Sequence, residues 1–167
     1  MGNIILVGMM GSGKTTVGRV LAHLTGRNFI DTDYLIEKKE GMSISDIMKM
    51  RGEDYFRQIE KDAVLSLMPG QPSVISTGGG AVLDNDIFLF LKGMGTTVYL
   101  KASAAVLYKR TANVDVRPLL REGDRLRIIQ ELLQKRESRY LESDVIIDSD
   151  NAAPQEIAET IIMKVRA

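Results

Sequence analysis

Apolar residues along the chain gather in short runs that stop at polar or glycine-rich turns, at residues 3–7, 28–30, 73–76, 96–100 and 144–147. Runs this short and this uniformly apolar predict strands covered on both faces. Between them lie longer segments with the three- and four-residue spacing of helices, beginning near Lys14, Asp33, Ile44, Glu53, Asp84, Ser103 and Asp124, with a last helix after Pro154. Strand and helix alternate, so the pattern predicts an α/β fold in which a parallel sheet carries helices on both faces. No repeat, low-complexity tract or linker divides the chain, and a single domain over residues 1–167 is expected. Residues 113–124 break the pattern. They are charged, contain Pro118 and Gly123, and read as a mobile loop between two helices.

One helical pattern has an odd position. After Asp124, Leu126, Ile129, Leu132, Leu133 and Tyr140 form an inward stripe, and Arg136 falls on it where another apolar residue is expected. A cation aimed inward needs an anion. The competing reading is an arginine that reaches past the core edge to Glu137 or another nearby carboxylate, and spacing alone leaves the two open.

The strongest chemical signal is Gly8-Met9-Met10-Gly11-Ser12-Gly13-Lys14-Thr15, which fits G-x-x-x-x-G-K-[ST] directly after a predicted strand and directly before a predicted helix. Glycines there let successive N–H groups curl around a phosphate, and the helix start adds the positive end of its dipole. Lys14 reaches the terminal phosphates and Thr15 places its hydroxyl on Mg²⁺. Gly11, Ser12, Gly13, Lys14, Thr15 and Thr16 are the nucleotide-binding candidates. Met9 and Met10 read as loop packing, with Met10 near the acceptor. A phosphate loop announces a nucleotide but not its purpose. No N-K-x-D segment is present to read guanine, a motor usually needs a larger chain, and the third strand ends in Ser76 with no acidic residue beside it. A small ATP-dependent kinase remains.

Composition narrows the partners. At 167 residues and 44% hydrophobic content the chain can bury one respectable core. Lys plus Arg (22) balance Asp plus Glu (22), so the broad positive field of a nucleic-acid or membrane-surface binder is lacking and any anion site is local. The absence of cysteine excludes disulfides and thiolate metal sites, and the single histidine, His23, cannot build an imidazole cluster. A divalent metal would need oxygen ligands. The apolar run at residues 4–7 is too short for a signal-peptide core or a membrane span, which makes a cytoplasmic protein the expectation.

An acceptor site is suggested by two further motifs. Asp31-Thr32-Asp33 closes the second strand at the carboxyl edge of the sheet, where open α/β folds place their ligands. One carboxylate there can hold the Mg²⁺ shell, and the other can bond and deprotonate an acceptor hydroxyl. Asp31 and Thr15 are the metal candidates. For Asp33 the alternative is a helix N-cap, because a helical pattern follows at once. Beyond the third strand come Thr77-Gly78-Gly79-Gly80-Ala81, and three adjacent glycines cost backbone entropy that a simple turn does not require. Exposed N–H groups on such residues suit a carboxylate or hydroxyl-rich ligand, the alternative being a plain flexible loop.

These motifs, together with Phe56-Arg57, Ile59-Glu60, Arg117-Pro118-Leu119 and Lys135-Arg136 before Tyr140, resemble the shikimate kinase family in order and spacing over nearly the whole chain. The resemblance implies a three-layer αβα P-loop kinase fold with a five-stranded parallel sheet of order 2-3-1-4-5. It places a shikimate-binding segment at about residues 33–60 and a mobile lid at about residues 112–124. The implied reaction moves the γ-phosphate of ATP, with Mg²⁺, to the 3-hydroxyl of shikimate. The implied catalytic residues are Asp33 at the acceptor hydroxyl, Lys14, and Arg117 reaching over the phosphates from the lid. Arg57 and Arg136 correspond to the pair that grips the shikimate carboxylate, with Gly78, Gly79 and Gly80 beside it. Two guanidinium forks suit a planar carboxylate, which gives the inward Arg136 its anion.

Glu60, three residues after Arg57, is placed to orient it, the alternative being an ordinary surface ion pair. Arg110 resembles the residue that stacks on adenine, but a helix C-terminal cation fits nearly as well. Arg121 competes weakly with Arg117 for the lid role. The family's adenine-side proline has no plain counterpart, since Pro154 can simply start the last helix. Shikimate is the expected partner of a monomer that binds neither nucleic acid nor membrane.

Overall fold

The computed structural model describes residues 2–112 and 124–166. Arg117, Pro118, Arg121 and the body of the expected lid lie outside them. The five apolar runs pair as β1 (Asn3–Val7), β2 (Asn28–Asp31), β3 (Ser73–Ser76), β4 (Gly95–Lys101) and β5 (Val145–Asp148), in one all-parallel sheet of order β2-β3-β1-β4-β5. The connections carry α1 (Lys14–Thr25), α2 (Thr32–Glu40), α3 (Ile44–Arg51), α4 (Glu53–Leu65), α5 (Asn85–Met94), α6 (Ala104–Arg110), α7 (Arg125–Tyr140) and α8 (Pro154–Arg166). A 3₁₀ turn at Ala81–Leu83, which spacing did not announce, follows the glycine triplet.

The uniform apolarity of the strands follows from the layering. Successive side chains of a strand point to opposite faces, and both faces of β1 are covered. Ile5 and Val7 enter a core with Ile75, Phe88, Leu91, Tyr99, Leu107, Ile129 and Tyr140, while Ile4 and Leu6 enter a second with Val17, Leu21, Val98, Ile157 and Ile161. A smaller cluster of Ile36, Ile44, Ile47 and Phe56 holds α2, α3 and α4 together at the edge of the sheet.

Helix starts follow capping chemistry. Asp84, Ser103 and Asp124, where helices were expected to begin, are the N-caps of α5, α6 and α7. At α2 the cap is Asp31, whose carboxylate accepts from the N–H groups of Asp33 and Tyr34 at 3.1 and 3.3 Å. The capping alternative for Asp33 is thereby removed, because the strand ends one residue later than its apolar run and the preceding acid reaches the free N–H groups first.

From β1 the chain moves out past β3 to β2, and from β3 it crosses to β4 on the other side of β1. The winding reverses beside β1, which opens a crevice at its carboxyl end. The glycine-rich loop enters there.

The turn before β5 is tied to β4 by Asp144, whose Oδ2 accepts from the N–H and hydroxyl of Thr97 at 2.8 and 2.7 Å. Burial alone would raise the Asp144 carboxyl, but the Thr97 hydrogen bonds and the nearby Lys92 charge outweigh it and hold it below the usual carboxylate range. A depressed folded-state value contributes stability above the unfolded value that is lost as pH falls through the folded one. Asp144→Asn should therefore melt below wild type at pH 7, with the gap narrowing below about pH 4; thermal melts at both pH values check this.

Candidate active site

The phosphate loop is shaped by backbone that side chains disfavour. Gly11 and Gly13 hold φ of 81° and 96°, in the left-handed region that glycine enters without penalty. Lys14 is buried and its Nζ donates to the carbonyls of Gly8 and Met9 at 2.8 and 2.9 Å, which holds the ammonium at the loop. Ser12 Oγ is buried and has no hydrogen-bond partner among the described residues. An orphaned buried hydroxyl in a glycine-rich loop before a helix fits a phosphate oxygen.

The two metal candidates, Thr15 and Asp31, are hydrogen-bonded to each other. Thr15 donates its hydroxyl proton to Asp31 Oδ2 at 2.8 Å, which leaves the hydroxyl oxygen's lone pairs for a cation. Among the described residues no three His, Cys, Asp or Glu side chains form a metal cage. The oxygen pair nevertheless fits Mg²⁺, which commonly takes one or two protein oxygens and completes its shell with substrate phosphates and water. Both residues line a cavity of about 260 Å³ with Lys14, Thr16, Asp33, Ser76 and Gly79, so the metal candidates and the proposed base share one space.

A neighbouring cavity of about 390 Å³ is lined by Gly11, Gly13, Thr16, Arg110, Ala152 and Pro154. Arg110 does end α6, and its guanidinium donates to the carbonyl of Ser149. Ser149 is buried, and its hydroxyl lies 3.0 Å from the Lys101 carbonyl and 3.3 Å from that of Ser12, joining β4 and β5 to the phosphate loop. Pro154 both starts α8 and lines this cavity. Its sequence context showed only the first role, because the cavity is assembled from α1, α6 and α8, which are remote in sequence.

On the other side, α4 and α7 bring Arg57 and Arg136 to a cavity of about 300 Å³, shared with Glu60, Gly80, Ala81 and Asp84. Arg57 donates to Glu60 at 2.7 Å and to Glu53 at 3.2 Å, and lies 5.2 Å from the Phe56 ring centroid. Burial would lower its guanidinium, but Glu60 and then Glu53 outweigh this and hold it more firmly protonated. The Glu60 side chain is only 2% exposed, so the pair is not an ordinary surface contact. Arg136 is 5% exposed, and among the described residues its hydrogen-bond partner is Met9 Sδ at 3.8 Å. Among the described residues no carboxylate pairs with it, which removes the snorkelling alternative through Glu137; that residue instead pairs with Lys101.

The glycine triplet divides the two cavities. An added Cβ at Gly78 would strike Glu60 Oε1 and lie 2.8 Å from Asp33 Oδ1, and one at Gly80 would lie 2.6 Å from Arg57 Nη1. A Cβ at Gly79 would lie 3.2 Å from Met10 N and 3.7 Å from Arg136 Nη1. The Gly79 carbonyl accepts from the Tyr140 hydroxyl, and the N–H of Gly78 donates to Thr32 Oγ1 at 3.2 Å. Among the described residues nothing accepts from the N–H of Gly79 or Gly80. Of the three, these two keep N–H groups for a ligand. Thr32, Tyr140 and Ser149 are the site residues that sequence reasoning passed over. Thr32 alone carried a signal, as a hydroxyl between two acids at a strand end.

A phosphate loop at the winding reversal, an oxygen pair that fits a metal and a second cavity with two arginines define a P-loop phosphotransferase. The family model for shikimate kinase matches residues 10–166. The shikimate kinase of Thermodesulfovibrio yellowstonii is 43% identical over 97% of this chain and 94% of that protein, and that of Caldanaerobacter subterraneus subsp. tengcongensis is 43% identical over 97% and 95%. Among solved structures, shikimate kinase from Acinetobacter baumannii in complex with shikimate superposes with a TM-score of 0.96 at 37% identity, over 99% of this chain and 93% of that one. A gluconokinase from Sinorhizobium meliloti shares the fold alone, with a TM-score of 0.60 at 20% identity over 99% of this chain and 91% of that one. The chain belongs to the shikimate kinase family. It is a kinase that uses ATP as co-substrate with Mg²⁺.

Proposed function

We propose that the chain catalyses ATP-dependent phosphorylation of the 3-hydroxyl of shikimate, giving shikimate 3-phosphate and ADP in chorismate and aromatic amino-acid biosynthesis. The observation that carries this reading is the buried Arg136, which shares a cavity with Arg57 and has no carboxylate partner among the described residues. A desolvated guanidinium costs several kcal/mol unless an anion accompanies it, and a ring carboxylate would supply one.

On this reading Arg57, held in orientation by Glu60 and Glu53, meets the carboxylate together with Arg136. The N–H groups of Gly79 and Gly80 bond the same ligand, and Gly78 contributes by lacking a side chain. Asp33 lies in the cavity that also holds Lys14, where it accepts the proton of the attacking hydroxyl. Lys14 and the N–H groups of the loop stabilise charge on the transferring phosphoryl group. Mg²⁺, held at Thr15 and the Asp31 shell, supplies further neutralisation of the phosphates. Arg110 and Pro154 flank the adenine, and Arg117, outside the described residues, takes the family's lid position. A lid excludes water that would otherwise accept the phosphoryl group. We also read the protein as a single-domain, cytoplasmic monomer that acts on shikimate without nucleic acid or membrane, in keeping with its balanced charge. Among the described residues no helix is long and apolar enough to cross a membrane.

The direct test is ADP release with MgATP and shikimate, gluconate or nucleoside monophosphates, and only shikimate should give substantial turnover. Absence of shikimate-dependent turnover overturns the reading. Asp33→Asn should lower kcat by about 10²- to 10⁴-fold with the KM for MgATP nearly unchanged; a collapse of ATP affinity would make Asp33 structural. Arg136→Ala removes charge-assisted bonds worth about 2–3 kcal/mol, so the KM for shikimate should rise roughly 30- to 160-fold in steady-state assays.

A further inference from the structure

We infer that Thr32 is a positioning residue for the acceptor, its hydroxyl fixing the N–H of Gly78 and so holding the glycine triplet in register with Asp33. This rests on the reading of Asp33, Gly79 and Gly80 as the acceptor side of the site.

The β2–β3 ladder ends at the pair Asp31–Ser76. Beyond it the β2 chain turns into α2, and the β3 chain runs on toward the triplet with no strand on that side. On the β1 side the extension stays anchored, because the N–H and hydroxyl of Thr77 both donate to the Leu6 carbonyl at 3.2 and 3.1 Å. On the β2 side the anchor is a side chain. Thr32 Oγ1, fully buried, accepts from Gly78 N at 3.2 Å across 46 residues of sequence. A buried N–H needs a partner, and here the hydroxyl stands in for a strand carbonyl.

Thr32 is also fixed relative to Asp33. Both lie in the first turn of α2, which Asp31 clamps through the N–H groups of Asp33 and Tyr34. Asp33 Oδ1 lies so close to Gly78 that a Cβ would come within 2.8 Å of it. Gly78 is thus held from two directions by one rigid turn, by its N–H and by its bare α-carbon. From that fixed point the chain passes to Gly79, whose carbonyl the Tyr140 hydroxyl holds, and the direction of the next N–H groups follows. Those groups serve the acceptor and not the nucleotide, so loss of the Thr32 hydroxyl should be felt by one substrate only. A threonine that merely packs under the first turn of α2 would show no such asymmetry.

Thr32→Ser and Thr32→Ala test this as a pair, because both lose the methyl group and only one loses the hydroxyl. The alanine variant should show a KM for shikimate about tenfold above that of the serine variant, the loss expected for one hydrogen bond, with KM for MgATP within about twofold. The serine variant should stay near wild type. Equal shikimate KM values in the two variants, or an equal rise in the KM for MgATP, overturn the inference. Amide hydrogen exchange over residues 77–80 gives a readout independent of substrate. Protection should fall about tenfold in the alanine variant and be kept in the serine variant. Should wild type fail to turn over shikimate, the functional reading falls while exchange still decides whether Thr32 pegs the loop. Thr32→Val, which keeps the volume, replaces alanine if that variant melts below the assay temperature. If both fail to fold while serine folds, the residue is structural and the inference is overturned.

Discussion

Three adjacent α-carbons without side chains set the spacing of this site. Gly78 lies against Asp33 and Glu60, Gly79 against both Met10 of the phosphate loop and Arg136, and Gly80 against the Arg57 guanidinium. At this point the bare backbone of Gly79 lies against both the phosphate loop and Arg136, whose guanidinium also reaches Met9 Sδ of that loop. Any larger residue would push these groups apart. The entropy that three glycines cost is offset by bonds to the first two of them, from Thr32 to Gly78 and from Tyr140 to Gly79.

The two arginines of the acceptor cavity do different physical work. Arg57 is compensated: Glu60 and Glu53 hold its guanidinium in place and keep it protonated against burial. Such a group orients a ligand but contributes less net attraction, because its charge is already balanced. Arg136, more deeply buried, has a thioether for its hydrogen-bond partner. Its desolvation is uncompensated within the described residues, so an anion reaching it would gain more there than at Arg57. In a chain with no net charge, this local imbalance stands in for a global field.

Most of the fold was legible because each feature had a local cause. Strands read as apolar runs since β1 is covered on both faces, and helix starts read correctly at Asp84, Ser103 and Asp124 since each caps its own helix. The phosphate loop was legible for the same reason, its shape being fixed by glycines within a few residues. What stayed open depended on distant partners. Whether Asp31 or Asp33 caps α2 turns on where β2 stops pairing with β3, and whether Arg136 reaches Glu137 turns on Lys101 of β4 taking that carboxylate. The role of Ser149 had no local signal at all, because its partners are the carbonyls of Ser12 and Lys101, more than a hundred and nearly fifty residues away respectively.

The two halves of the site meet in one carboxylate. Asp31 Oδ2 takes the proton of the Thr15 hydroxyl on the nucleotide side, and Oδ1 takes the N–H groups that open α2 on the acceptor side. A capping carboxylate bonds the second and third residues of its helix, so an acid placed two positions after the cap has its own amide held by that cap. Asp33 occupies this position. The Asp-x-Asp spacing then has a geometrical origin: the first acid can serve the metal shell and fix the backbone of the second through opposite oxygens, with the intervening residue left free to turn its hydroxyl toward Gly78. The phosphate loop and the glycine triplet are thereby tied to the same point at the end of β2.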